Sequence, residues 1–329
     1  MRALVFDRYG GPDVVRITDV ERPTPEANEI LVRVHASAVN TGDWRIRAAA
    51  FPGILAIPGR LMFGIFRPRN PRLGSEYSGV VEEVGASVAS FVEGDRVFGM
   101  SVSGGASAEY LAVPEESAVA NMPGSLDFEG AAGMPFGAIC ALFFLDECAR
   151  LQPEQRVLII GASGGVGAFA VQIAKALGAH VTAVAGSDSQ NLVLDLGADE
   201  AVDYRTTDIA TLGQQFDVVF DTFGAISPRT SRDLLVEGGL FLPLNIGLRE
   251  IGAALFDRFR KRKIRLAVNP DRKEDMIRLA RMIQDGVLRP VVDSVYALED
   301  AARAHARVES RHKKGAVVMR IAHAADGAK

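Results

Sequence analysis

Cysteine is scarce in this 329-residue chain: there are two, Cys140 and Cys148, with no histidine between them. Structural zinc takes four thiolate or imidazole ligands, mostly in closely spaced pairs, so a zinc ribbon is excluded. Histidine is no more helpful, because His35, His180, His305, His312 and His323 are scattered and never form a His-x-x-x-His pair. No metal site is expected. An excess of positive charge is also missing, since 37 Lys and Arg face 41 Asp and Glu for a formal charge of −4; a surface built to neutralise nucleic-acid phosphates is not expected. No run of about 18 apolar residues appears, so no transmembrane helix is expected. The opening MRALVFDRYGGPD has two acids, no hydrophobic core segment and no Ala-x-Ala site. These absences predict a cytoplasmic protein with neither a nucleic-acid nor a membrane partner. At 48% hydrophobic and 24% charged residues, the chain is also far from a disordered composition.

What is abundant is glycine, 33 residues or about a tenth of the chain against ~7% on average. The length predicts two domains at roughly 150 residues each. Residues 1–122 read as β-rich: short apolar or alternating runs at Arg2 to Phe6, Val14 to Ile17, Ile30 to Ala36, Gly79 to Val84, Arg96 to Phe98 and Ala108 to Val113 are separated by turn residues. Phe51 to Phe66 departs from this, being apolar with three glycines and two prolines. It is expected to be irregular, either a buried loop or a mobile hydrophobic rim over a cleft. Residues 123–266 alternate strands (RVLII at Arg156 to Ile160, HVTAVA at His180 to Ala185, DVVF at Asp217 to Phe220, GLFLPL at Gly239 to Leu244) with helical stretches, which predicts parallel βαβ units in a doubly wound sheet. The tail, 267–329, holds helices at Glu274 to Asp285 and Leu298 to Glu309, a strand-like turn at Arg289 to Tyr296 and a last strand, Ala316 to Ile321, that is expected to return to the first domain. The basic run Arg258 to Arg265 reads as a solvated face or a subunit contact.

The stretch Gly161, Ala162, Ser163, Gly164, Gly165, Val166, Gly167 lies between RVLII and an apolar-periodic helix, with a second strand about twenty residues on. Glycines at the first, fourth and seventh places allow a sharp turn, close backbone approach to a pyrophosphate and tight packing of helix on sheet, while the helix N-terminus offers N–H groups to the phosphates. That context identifies a dinucleotide site. No Gly-Lys-Ser/Thr follows, so a P-loop is excluded. The second strand runs into Gly186 and Ser187 without an acid at its tip, which favours NADPH over NADH because an acid there repels the 2′-phosphate. Tyr204 and Arg205 could supply a hydroxyl and a cation to that phosphate, and Asp188 opposes it.

With these motifs in place, the sequence resembles the medium-chain dehydrogenase/reductase superfamily, and within it the zinc-independent quinone oxidoreductase (zeta-crystallin-like) branch. The blocks ALVFDRYGGPDVV, PEANEILVRVHASAVNTGDWRIR, LGSEYSGVVEEVG, FVEGDRVFG, SAEYLAVPE, VLIIGASGGVGAFAVQIAKALGAHV, LGADEAVDY and FDVVFDTFG follow the family order over nearly the whole chain. The resemblance implies an α/β protein with a GroES-like β-rich catalytic domain and a Rossmann domain. The positions of the catalytic zinc ligands look like Asn40 and Ser75, and no room for a four-Cys lobe exists between Phe98 and Ala108. It further implies hydride transfer from NADPH, with NADH as the alternative donor, to a quinone or an α,β-unsaturated carbonyl compound, in a homodimer. Cofactor contacts fall by resemblance on Asn40, Thr222, Phe223, Asn245 and Lys314 besides the loop, and substrate contacts on Asn40, Asp43, Trp44, Phe51, Phe63 and Phe136. No residue is assigned as a catalytic acid or base. The family's usual Lys or Arg near the adenosine phosphate, Thr after the Pro135 segment and Gly-Lys-Val-Val near the end look here like Asp188, Cys140 and Gly315-Ala316-Val317-Val318. Two other readings stay open: an enoyl-thioester reductase, whose Tyr about eleven residues after the Asn is here Phe51, and a non-catalytic NADPH-binding redox sensor. A zinc alcohol dehydrogenase with borrowed ligands would need stoichiometric metal.

Overall fold

The computed structural model describes residues 1–51, 53, 56–257 and 261–323. Pro52, Ile54 and Leu55 of the apolar stretch and residues 258–260 of the basic run lie outside these. Along the chain come β1 (Arg2–Phe6), β2 (Val15–Asp19), β3 (Glu29–Val39), α1 (Thr41–Ala48), α2 (Ala56–Phe63), β4 (Glu76–Val84), β5 (Arg96–Met100), β6 (Tyr110–Pro114), β7 (Val119–Asn121) and α3 (Phe128–Ala132). The middle holds α4 (Pro135–Leu142), β8 (Arg156–Ile160), α5 (Gly167–Ala176), β9 (His180–Ala185), α6 (Gln190–Asp195), β10 (Glu200–Asp203), β11 (Phe216–Asp221), α7 (Pro228–Leu234), β12 (Leu235–Pro243), α8 (Leu248–Phe256) and β13 (Lys263–Ile264). The chain closes with α9 (Lys273–Gln284), β14 (Val292–Ala297), α10 (Ala301–Glu309) and β15 (Ala316–Arg320).

The chain divides into two compact units, one of residues 1–51, 56–136 and 271–329, the other of residues 52–55 and 137–270. Residues 123–136, which the sequence pattern assigns to the dinucleotide domain, thus pack in the first unit, because α3 lies against the sheet there: Ala132 joins Ala36, Ala38, Ala316 and Val318 in one buried cluster. The first unit is built on a mixed sheet ordered β14-β15-β3-β4-β5-β7, with β6 also on β3. The last strand returns as expected, β15 pairing antiparallel with β3 from Val317 opposite Val39 to Arg320 opposite Ala36. Strand side chains alternate between faces, so Ala316 and Val318 meet α3, whereas Val317 and Met319 enter a larger core with Val32, Val34, Tyr77, Val97 and the α10 residues Ala304 and Val308.

The second unit is a six-stranded parallel sheet ordered β10-β9-β8-β11-β12-β13. The middles of its central strands are apolar because helices cover both faces of a parallel sheet; Val157, Leu158 and Ile159 of β8 and Val219 and Phe220 of β11 are fully buried. The chain winds outward from β8 in one direction and from β11 in the other, which leaves a crevice at the carboxyl ends of these two neighbours, the switch point where such sheets bind ligands.

The irregular segment expected over Phe51 to Phe66 is corrected by the structure: α2 runs through it. Pro58 is tolerated as the third helical residue, where a backbone N–H has no partner inside the helix anyway. Gly59 lets the Phe51 ring lie against the helix, since a Cβ there would stand 2.7 Å from that ring.

Candidate functional site

In the second unit the glycine loop joins β8 to α5 at the switch point. The N–H groups of Gly161 and Ala162 both donate to Val184 O, at 3.1 and 3.0 Å, tying the start of the loop to β9, and Gly164 N donates to Gly161 O at 3.0 Å. A Cβ on Gly167 would meet Gly161 O at 2.1 Å and Ala162 Cα at 2.7 Å, so only glycine lets α5 begin this close to the strand end. No side chain caps α5. Its dipole favours an anion at this end, although the Ala168 N–H already donates to Gly164 O at 3.0 Å.

Other strand ends converge on the same edge. Thr222 Oγ1 donates to Ile160 O at 2.8 Å. The buried Asp221 carboxylate accepts from the N–H groups of Phe223, Gly224 and Ile226 at 3.0, 2.7 and 3.0 Å, which shapes the turn after β11. Burial raises the Asp221 pKa against those bonds. Asn245 packs on that turn, its Nδ2 3.0 Å from where a Gly224 Cβ would be. Of the expected cofactor residues, the loop, Thr222, Phe223 and Asn245 are thus gathered along the carboxyl edge of β8, β11 and β12.

At the tip of β9, Ser187 Oγ donates to Asp203, whose other oxygen accepts from Arg205 N at 2.9 Å. The Arg205 guanidinium lies 3.7 Å from Asp188 and 5.8 Å from the Tyr204 ring centre, and within 3.3 Å of where a Gly186 Cβ would stand. The expected residues Gly186, Ser187, Tyr204 and Arg205 are therefore neighbours, with two carboxylates, Asp188 and Asp203, among them. An uncapped helix start, a glycine at each close approach and a cation at the tip of the second strand fit a dinucleotide.

The first unit holds a buried polar cluster around Asn40. This residue caps α1: its Oδ1 accepts from Gly42 N and Asp43 N at 2.7 and 3.1 Å, and Asp43 Oδ2 accepts from Asn40 N at 2.9 Å. Its Nδ2 donates to Ser75 Oγ at 2.8 Å and to Glu76 Oε2 at 2.9 Å, and Ser75 Oγ donates in turn to Asp43 at 3.4 Å. The other Glu76 oxygen accepts from Phe136 N at 2.8 Å. Both carboxylates are almost wholly buried, Glu76 at 3% and Asp43 at 4% exposure. Burial pushes Glu76 up to about 7, against the bonds from Asn40 and Phe136, and Asp43 up to about 6. The cation whose charge reaches Glu76 is Lys313, driven down to about 8 by burial; its Nζ donates to Gly315 O at 2.5 Å. Lys314, the residue expected from the pattern, has its backbone N–H on Asp293 Oδ1 at 2.7 Å.

All four hydrogen-bonding positions of the Asn40 amide are therefore engaged within the chain, so a contact from it to cofactor or substrate requires one of these bonds to be given up. Of the expected substrate residues, Asn40 and the backbone N–H of Phe136 meet on Glu76, and Asp43 joins them through Asn40 and Ser75. Phe51 and Phe63 stack, ring centres 5.5 Å apart and 9° from parallel. Trp44 packs instead on the larger core. Glu76, Asp203, Asp221 and Lys313 were not singled out from the sequence. The placement of Asp221 at the carboxyl end of a parallel strand was the available signal for it; burial of Glu76 had none.

A zinc ion does not fit the Asn40 cluster, because the amide presents hydrogens rather than lone pairs to Ser75 and Glu76. Among the described residues no group of three or more His, Cys, Asp or Glu could hold a metal, and no helix is long and apolar enough to cross a membrane.

The family described as alcohol dehydrogenase GroES-like domain matches residues 26–124, and that described as zinc-binding dehydrogenase matches residues 196–319. The chain is 34% identical to a quinone oxidoreductase of Sus scrofa, over 97% of each chain. Among solved structures it is similar to the Escherichia coli quinone oxidoreductase complexed with NADPH (TM-score 0.82, 26% identity, 97% of this chain and 100% of that one). It is likewise similar to the CurK enoyl reductase (TM-score 0.85, 26% identity, 98% and 99%).

Proposed function

This chain belongs to the quinone oxidoreductase branch of the medium-chain dehydrogenase/reductase superfamily and is an NAD(P)H-dependent oxidoreductase, and we propose that it reduces a quinone or an α,β-unsaturated carbonyl compound with NADPH and without zinc. The observation that carries the proposal is the Asn40 amide donating to Ser75 and Glu76. A polar group fully engaged inside the chain stands at a position that the family resemblance matches to a zinc ligand. Without a Lewis acid nothing stabilises an alkoxide. The acceptor must then spread its own negative charge, as quinones and enones do.

When bound, NADPH supplies the hydride. The chain's part is to bind and orient: the loop 161–167 and the uncapped start of α5 hold the pyrophosphate, the Asp221-braced turn at Thr222 to Gly224 lies beside it, and Ser187, Tyr204 and Arg205 receive the 2′-phosphate. Phe51, Phe63 and Phe136 offer apolar surface to the acceptor, and solvent supplies the proton that follows. A small-molecule substrate, a homodimer and a cytoplasmic setting complete the proposal.

Similarity to an enoyl reductase keeps one competing substrate class in view. Phe51, stacked on Phe63, has no hydroxyl to donate to a thioester enolate. A steady-state screen of NADPH and NADH against quinones, enones and crotonyl thioester decides the matter. Quinone turnover with NADPH, unchanged by a chelator, is the expected outcome; faster turnover of the thioester, or loss of activity with the chelator, overturns it.

A further inference from the structure

The 32 residues from 44 to 75 contain six arginines and no acidic residue, in a chain whose formal charge is −4. From α2 and the turn after it, Ile57, Leu61, Met62, Ile65 and Phe66 stand into solvent, with Phe66 at 91% and Ile57 at 74% exposure. Side chains this exposed project from the surface instead of lining a groove. Arg67, Arg69 and Arg72, all exposed, follow directly.

The segment is firmly held. Tyr9 Oη donates to Gly64 O at 2.7 Å, Arg69 N to Phe63 O at 2.8 Å and Asn70 Nδ2 to Ser103 O at 2.7 Å. The Arg60 guanidinium is folded back, donating to Ile65 O at 2.8 Å and lying 4.8 Å from the Tyr9 ring centre. The apolar ridge is thus a fixed feature of the first unit, with a line of cations beside it.

Removing such a ridge from water is favourable in proportion to its apolar area, and a contiguous exposed apolar patch marks an interaction site. The charge pattern selects the partner. An acidic peptide would match the arginines but offer no deep apolar phase to Phe66 and Ile57. The headgroup boundary of an anionic bilayer offers both, apolar depth for the ridge and phosphates for the arginines.

We propose that α2 and the turn through Arg72 form a docking surface for an anionic phospholipid bilayer, with Leu61, Met62 and Phe66 entering the headgroup boundary and Arg67, Arg69 and Arg72 pairing with lipid phosphates. The sequence expectation of no membrane partner rested on the lack of a spanning segment, which surface docking does not need.

The test is cosedimentation of the full chain with vesicles of phosphatidylcholine alone or mixed with phosphatidylglycerol, at low and high salt. The measurement involves no turnover, so its failure is distinct from a failure of the acceptor assignment. Binding to the mixed vesicles at low salt is expected, at least tenfold weaker on phosphatidylcholine alone and weakened by salt. The triple variant Leu61→Glu, Met62→Glu, Phe66→Glu should release the protein. The variant Arg67→Ser, Arg69→Ser, Arg72→Ser should weaken binding by about fivefold per arginine. Thermal melts matching the wild type show that each variant is folded; if one is not, the other decides. No binding to the mixed vesicles, or binding that survives the folded variants, overturns the proposal. So does conversion of a dimer to a monomer by the triple glutamate variant, which would make a second copy the occupant.

Discussion

Asn40 donates its side-chain amide to Glu76 at 2.9 Å while its carbonyl oxygen caps α1. One short side chain thus joins a helix start to a buried carboxylate. Replacing it should be felt twice, through a lost cap and through a buried carboxylate deprived of a donor. Asn40→Ala is expected to lower stability by about 3 kcal/mol, read by urea denaturation. A loss below about 0.5 kcal/mol would show that neither bond matters to the fold.

The buried charges of this cluster set a pH dependence. Glu76 has a folded pKa of about 7, above its ordinary 4.5, so the native state holds the proton more tightly than the unfolded chain does. Its contribution is fully present below about pH 4.5 and is lost as pH rises to 7, with an order-of-magnitude total of about 3 kcal/mol. Lys313 acts in the opposite range: its folded value of about 8 lies below 10.5, so the native state sheds the proton first and stability is regained as pH rises from 8 towards 10.5. The stability difference between the wild type and Glu76→Gln should shift in favour of the variant between pH 4.5 and 7. A difference that stays flat across that window counts against a buried, titrating Glu76.

At the glycine loop, Gly167→Ala puts a methyl group 2.1 Å from Gly161 O, in the loop's own backbone. The loop must open. NADPH affinity measured by isothermal titration should fall at least roughly tenfold, with the protein still folded; unchanged affinity would refute the cradle.

Choice between NADPH and NADH should respond to the charges at the end of β9. Asp188→Asn removes a carboxylate 3.7 Å from Arg205 and is expected to raise the preference for NADPH by about threefold in kcat/KM, while Arg205→Ala lowers it by about tenfold. If neither ratio moves, the 2′-phosphate is not bound there.

Much of this was legible along the chain. RVLII at Arg156 to Ile160 and HVTAVA at His180 to Ala185 are β8 and β9 to the residue, because an apolar run bounded by glycine has no other stable use in a parallel sheet. The glycine spacing pointed to its chemistry for the same reason: a Cβ at Gly167 collides with backbone whatever surrounds it. The segment Phe51 to Phe66 misled, since its prolines and glycines argue locally against a helix, and only Pro58 falling in the first turn and Phe51 packing over Gly59 permit α2.

Local order and composition were enough to settle the class of fold, the turn geometry of the glycine loop and the absence of zinc-ligand types at Asn40 and Ser75, because backbone sterics and side-chain chemistry act over a few residues. What Asn40, Glu76 and Lys313 do to one another was decided by the folded chain alone. They lie far apart in sequence, and burial, which moves the proton affinities of Glu76 and Lys313 by removing water, exists only once β4, α1 and the returning tail have packed together.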